Sequence, residues 1–381
     1  MKTILPLKLL LAFTMLVTSS AFTAVQSATT NKNISKLAKL IQSSRPQDRS
    51  KAAVQLGESR NAQAVDILIN ALSDENSKVR ADVAHALGWT KSKKALYPLI
   101  KMLNDPSPRV RVMVIKALGW SEDDLVIQAI TPLKADTNPG VRENVAWALG
   151  WLRNSDALPT LVRMLKDKHP RVRLVAARAL GQVGDKRAVI PLLDLLKDPV
   201  PEVVKFTARS LGKLEDPAAV DALIKASLHK NSEARSAIAT ALGKTKSSRA
   251  TPALLDYLND KTSGVRIAAA WALGQLNDSR AIEQLADKLE NDRSDLVKRT
   301  AAFSLAHIGH PGAFNHLKTA TRNKDEAVRV NAVRALGKVE TTEAIILLSS
   351  VMKNDKSKNV RTVAKSLLNS HRVNVYEFGP R

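Results

Sequence analysis

The sequence predicts an all-helical solenoid of about eleven stacked hairpins, and three observations carry that reading. A Leu-Gly pair recurs with its glycine at Gly57, Gly88, Gly119, Gly150, Gly181, Gly212, Gly243 and Gly274, every interval being 31 residues. Such a fixed period is the mark of a repeat architecture. The phase then slips by one residue, and Ala306, Gly337 and Asn369 take the equivalent place. Apolar residues follow helical spacing through the repeats and nowhere alternate as strands require. Only 4% of the side chains are aromatic while 44% are apolar, a composition suited to thin layers between closely packed helices.

Residues 1–28 stand apart from the repeats. Lys2 and Lys8 precede an apolar run from Leu9 to Val17, followed by the small residues Ser19, Ser20 and Ala21. This is the layout of a signal peptide, cleaved between 21 and 28, and its apolar run is shorter than the roughly 20 residues that span a bilayer. The mature chain is therefore expected to be periplasmic or secreted, with no transmembrane segment. Residues 29–369 form the expected solenoid and 370–381 an irregular tail. The absence of cysteine excludes a disulfide framework, thiolate metal sites and a lipidated cysteine.

Within a repeat, Ala188 to Leu196 reads as the first helix, with Pro191 tolerated in its first turn. An Asp-bearing turn follows. The second helix is exemplified by Val172 to Leu180, where Val172, Val175, Ala176, Ala179 and Leu180 share one face. Gly181 and Gly184 read as residues closing that helix. A hairpin of this size cannot bury its apolar face alone, so the hairpins must stack and the terminal ones must differ. In the last repeat Lys365 occupies a position held elsewhere by Ala, Ile or Val. A stack of this kind offers extended surface rather than a pocket, and a monomer is expected.

A second regularity pairs charges. The turn positions hold Ser43, Asp74, Asp105, Asp136, Asp167, Asp198, His229, Asp260, Asp292, Asn323 and Asp355. Six residues later stand Arg49, Arg80, Arg111, Arg142, Arg173, Val204, Arg235, Arg266, Lys298, Arg329 and Arg361. The repeat that lacks its Arg, at Val204, precedes the one that lacks its Asp, at His229; likewise Lys298 precedes Asn323. Paired losses of this kind imply that each Arg reaches the Asp of the next repeat, where a guanidinium can grip a carboxylate with two hydrogen bonds.

At these residues the sequence resembles the HEAT repeats of the phycobilisome-lyase type: residues 171–203 read RVRLVAARALGQVGDKRAVIPLLDLLKDPVPEV. The resemblance covers 33–369. It implies a right-handed superhelix with the second helices on the concave side. Scaffolds, lyases, hydroxylases and nucleic-acid enzymes all use this repeat, so the likeness implies no one activity. The related hydroxylases hold two irons with His-Glu pairs, and no His-Glu dipeptide occurs here. Of seven histidines only His307, His310 and His316 cluster, in the loop and first helix of one repeat, and they read as solvated side chains rather than ligands. With no cysteine, no serine at a strand-to-helix elbow and no phosphate-cradling glycine loop, a non-catalytic role without metal or cofactor is expected.

Charge is the main functional clue. The formal net charge is +23. Setting aside two leader lysines and the net +2 of the charge ladder leaves about +19 elsewhere, which attracts anionic partners. The expected partner is an acidic protein; nucleic acid, an anionic glycan or lipid headgroups are the alternatives. Two residues before each repeat Leu, a variable second-helix position runs His85, Lys116, Trp147, Arg178, Arg209, Thr240, Trp271, Phe303, Arg334 and Ser366. This basic and aromatic stripe is the candidate binding surface. Trp89, Trp120 and Trp151, each just after a repeat Gly, form a candidate aromatic edge. The polar Thr90 and Ser121 that follow two of them suggest instead that these rings replace missing core.

Overall fold

A computed structural model describes residues 33–339 and 341–377 of the chain, and the side chains through Ser370. Residues 1–28, expected from the sequence to be a signal peptide, lie outside the described residues. Every regular element among those described is a helix. The chain divides after Thr160 into two compact bodies. The first holds repeats one to four and the second runs from within the first helix of repeat five to the end.

Each repeat is a helical hairpin. In several repeats the first helix is short and tightens into a 3-10 turn, as in Leu96–Lys101 followed by Met102–Asn104. The second is longer, 14 residues in Ser77–Thr90, Pro170–Val183 and Pro201–Leu214. Its start is set chemically. Pro108, Pro139, Pro170 and Pro201 occupy the first helical position, where proline's missing N–H costs nothing. Asn76, Asn138 and Asn231 accept hydrogen bonds from the first backbone N–H groups, satisfying donors that would otherwise be orphaned.

In the first body Pro46–Glu58, Ser77–Thr90, Pro108–Gly119 and Pro139–Leu152 pack one upon the next; the second helices of the second body do the same from Pro170–Val183 to Lys358–Glu377. Leu56, Leu87, Leu118, Leu180 and Leu211 are at most 1% exposed. Burying each such side chain contributes about 2 kcal/mol.

Except at Gly119, the last residue of its helix, the repeat glycines lie inside their helices rather than closing them. Gly181 lies inside Pro170–Val183, and Gly184, with φ of +79°, is the residue that ends it. Gly181 serves close approach: a Cβ there would sit 2.6 Å from Ser210 Oγ and 2.9 Å from Ser210 Cα in the next repeat. At Gly57 the equivalent clash is with Ala86 Cα at 2.7 Å. The glycine and the small residue 29 positions later thus set how closely adjacent second helices pack.

Charged side chains link the turns. Arg80 donates from Nε to Asp105 Oδ2 at 2.7 Å and from Nη2 to Oδ1 at 3.0 Å, while its Nη1 donates to the carbonyls of Asp74 and Glu75. Arg111 grips Asp136 (2.8 and 2.9 Å) and Arg173 grips Asp198 (2.7 and 3.0 Å) in the same way. Arg49 and Asp74, Arg235 and Asp260, Arg266 and Asp292, and Arg329 and Asp355 repeat the geometry. Buried Arg142 donates to the Asp136 carbonyl at 2.7 Å, and Asp167 accepts from the His169 N–H at 2.8 Å. Each Asp also caps its own turn, as Asp105 does for the Ser107 N–H at 2.8 Å. His229 and Asn323 retain that second task, accepting from Asn231 and Asp325, which accounts for the residue types that replace Asp.

Two features depart from the sequence reading. Beyond Lys298 the link is carried by its neighbour: Arg299 Nε reaches Asp325 Oδ2 at 2.7 Å, and Lys298 donates to the Glu290 carbonyl. The tail expected to be irregular from 370 instead continues the helix Lys358–Glu377. No Gly or Pro falls between Lys358 and Phe378 to stop it, and helices propagate readily once nucleated.

Candidate partner-binding face

In the first body the stripe and the edge are one feature. Residues four apart lie one above another on a helix, so His85 meets Trp89 with ring centroids 4.5 Å apart, and Trp147 stacks on Trp151 at 5.8 Å. Between repeats, His85 meets Trp120 at 5.4 Å and Trp120 meets Trp147 edge-on at 6.4 Å. Trp89, His85, Trp120, Trp147 and Trp151 therefore form an unbroken run over three consecutive second helices. The sequence reading treated the two sets as separate. The spacing of four within His85/Trp89 and Trp147/Trp151 was the signal that joins them.

The rings are seated on the glycines of the preceding repeat. A Cβ added to Gly88 would lie 2.9 Å from Trp120 Cε3, and one on Gly119 would lie 3.2 Å from Trp147 Cζ3. The inner faces of these rings thus fill the space that glycine leaves, while Trp89, Trp120 and Trp147 stay half-exposed and Trp151 is 49% exposed. Thr90 and Ser121, polar where other repeats are apolar, turn their hydroxyls onto the carbonyls of Leu87 and Leu118. Burial, then the charge of Lys116, hold His85 below the usual imidazole value against the opposing pull of Asp82. A neutral His85 keeps the run apolar near pH 7, with the Lys116 ammonium beside it.

In the second body the same position presents Arg178, Arg209 and Arg334, all exposed, half-buried Trp271, and Phe303, which stacks on His307 at 6.2 Å. The Arg209 guanidinium lies over the Phe206 ring at 5.4 Å from its centroid, a cation–π contact. Among the described residues no ring-to-ring run joins these positions as it does in the first body. His310 is occupied in capping its turn, accepting from the Gly312 N–H, and His316 sits between Glu283 and Glu290. No His, Asp or Glu cluster able to hold a metal occurs among the described residues, and none of their helices is long and apolar enough to cross a membrane.

The family description "HEAT repeats" matches residues 34–119, 127–210, 163–237, 191–274, 227–299 and 282–369. The chain is a HEAT-repeat protein. Two solved structures share the fold, and a third is less similar. An engineered protein, 22% identical, aligns over 81% of this chain and 99% of its own with a TM-score of 0.51. Kap95p, from its complex with RanGDP, is 15% identical over 88% of this chain and 55% of its own, with a TM-score of 0.61. The CpcE–CpcF complex of phycocyanin lyase from Nostoc sp. PCC7120 is 26% identical, over 64% of this chain and 94% of that one, with a TM-score of only 0.37. At these identities the first two similarities concern fold alone, and at its TM-score the third carries no argument. No curated protein matches this HEAT-repeat chain by sequence.

Proposed function

We propose that this HEAT-repeat protein is a non-catalytic, exported scaffold that holds an acidic protein partner on its second-helix face. The aromatic run from Trp89 to Trp151 carries the reading. Rigid, half-exposed rings in a row provide the large contact area at low entropic cost that makes Trp an interface anchor. The cationic setting favours an acidic partner: Lys116 lies beside the run, and the chain carries 59 Lys and Arg against 36 Asp and Glu. A scaffold accords with side chains spread one per repeat rather than converging on a reacting atom. The Kap95p–RanGDP complex is a precedent for a HEAT solenoid that binds a protein.

The test is a quantitative crosslinking pull-down from an envelope fraction with wild type and with Trp151→Ala and Lys116→Glu. Recovery of an acidic protein, reduced at least about tenfold by either variant, is the expected result. Recovery of nucleic acid or anionic glycan instead, with a steep loss on adding salt, would establish the alternative partner class. Export is tested separately, by the N-terminus of the protein isolated from cells: an N-terminus between residues 21 and 29 is expected, and retention of Met1 or Lys2 on cytoplasmic protein would sink it.

A further inference from the structure

Repeats six and seven meet unlike the clasped pairs. Three features at this one boundary set it apart from its two neighbours. Val204, fully buried, stands where arginine clasps, opposite His229 in place of aspartate. Ala226 stands where the repeat before has Leu195 and the repeat after has Tyr257. Tyr257 is 6% exposed, and its hydroxyl donates to the Ser227 carbonyl, so it fills the corresponding space one repeat later. Leu228 stands where neighbours carry Lys197 and Asn259, and it is 90% exposed.

The three features converge. With the guanidinium and the large side chain both missing, a cleft of about 950 Å³ opens between the first helices and turns of the two repeats, with Leu193, Leu196, Pro199, Ala226 and Leu228 among its walls. A volume of that order suits a ligand site. Lys197, Lys225 and Lys230 also line it, against Asp194 and Asp221, and Asp221 is already paired with Arg249 at 2.5 Å. A hydrogen-bonding opportunity accompanies the charge. In the clasped repeats the arginine Nη1 donates to two turn carbonyls; here the carbonyls of Asp198 and Pro199 receive no such donor. A boundary that had merely lost its clasp would be repaired by a bulky apolar residue such as Tyr257, and would not place a leucine in water.

We propose that this cleft docks a segment of a partner protein bearing an apolar side chain flanked by carboxylates. The apolar side chain enters between Leu196 and Leu228, the carboxylates meet Lys197, Lys225 and Lys230, and backbone N–H groups of the segment donate to the turn carbonyls. That last pairing favours a peptide over a lipid, which has no run of N–H donors. The site is separate from the aromatic run and does not depend on it.

The test measures fluorescence anisotropy of a labelled peptide with a Leu-Phe core between glutamates, against the same core between lysines, with phosphatidylglycerol vesicles as a third probe. Wild type is expected to bind the acidic peptide in preference. Val204→Arg with His229→Asp rebuilds the clasp and fills the cleft, and Leu228→Ser alters only an exposed side chain. Each is expected to weaken the acidic peptide at least about tenfold, while Lys298→Ala, which removes a positive charge outside the cleft, leaves its binding unchanged. The clasp-restoring pair should also raise the unfolding midpoint, which shows that lost binding is not lost folding. Equal affinity for both peptides, affinity unchanged in the two variants, or vesicle binding without peptide binding would each overturn the proposal.

Discussion

Gly57 and Gly264 both lie in second helices, yet their surroundings demand opposite outcomes for the same substitution. A methyl at Gly57 would sit 2.7 Å from the Ala86 Cα, a backbone atom that cannot yield without parting two repeats, whereas nothing lies within 4 Å of one at Gly264. Gly57→Ala is expected to destabilise by about 2 kcal/mol through overpacking. Gly264→Ala should stabilise by up to about 1 kcal/mol, because alanine restricts the unfolded chain and favours helix. Urea denaturation of the two variants checks both signs; equal effects would refute the close-approach account. Thr207 presents the reverse case. Its hydroxyl is fully buried without a hydrogen-bond partner, at a position where other repeats have Ala, Val or Ile. Thr207→Val removes an unsatisfied polar group at constant shape and is expected to stabilise by about 1 kcal/mol in the same measurement.

At the scale of the hairpin, the clasp and its substitutes differ in environment and so in worth. The Arg111 and Asp136 side chains are only 13% and 9% exposed, so Arg111→Ala strands a sheltered carboxylate and is expected to cost about 3 kcal/mol. The Arg299 side chain is 45% exposed, and its pair with Asp325 is worth at most about 1 kcal/mol. Lys298→Ala should then be nearly silent, since Lys298 has ceded the link to its neighbour. Thermal unfolding of Arg111→Ala, Arg299→Ala and Lys298→Ala ranks them, and a Lys298 variant as costly as the Arg111 variant would contradict the geometry. The same contrast explains what the sequence disclosed. Helix period, hairpin and turn pairing were legible because each recurs, and a loss on one side of a rung coincided with a loss on the other. The shift from Lys298 to Arg299, the packing duty of Gly181 and the cleft at Ala226 were not, because each depends on what the next repeat places opposite. The aromatic run stayed divided for a related reason: its members occupy two repeat positions that only a helix turn brings together.

Across the molecule five of the clasps share one titration. Burial pushes the carboxyls of Asp74, Asp136, Asp260, Asp292 and Asp355 upward, but the arginine and turn N–H groups that bind them outweigh it and hold each below the ordinary 3.8. Asp278, bound by Arg280 and Thr251 against the opposing effect of burial, falls to about 2. A carboxyl whose folded value lies below its unfolded one contributes stability that is fully present above the unfolded value and is lost as pH falls through the folded one. Stability should thus hold down to about pH 4 and decline steeply towards pH 2. Over that span 36 acidic side chains are neutralised against 59 lysines and arginines, so general repulsion also grows, and the two causes need separating. Asp136→Asn does so. It retains an acceptor for the Asn138 N–H but removes one titrating rung while barely altering the total charge in acid. The variant should be less stable than wild type at neutral pH and lose less on acidification, so that the two curves of unfolding free energy converge as pH drops. Parallel curves would mean that repulsion alone unfolds the protein in acid and that the clasps take up no protons.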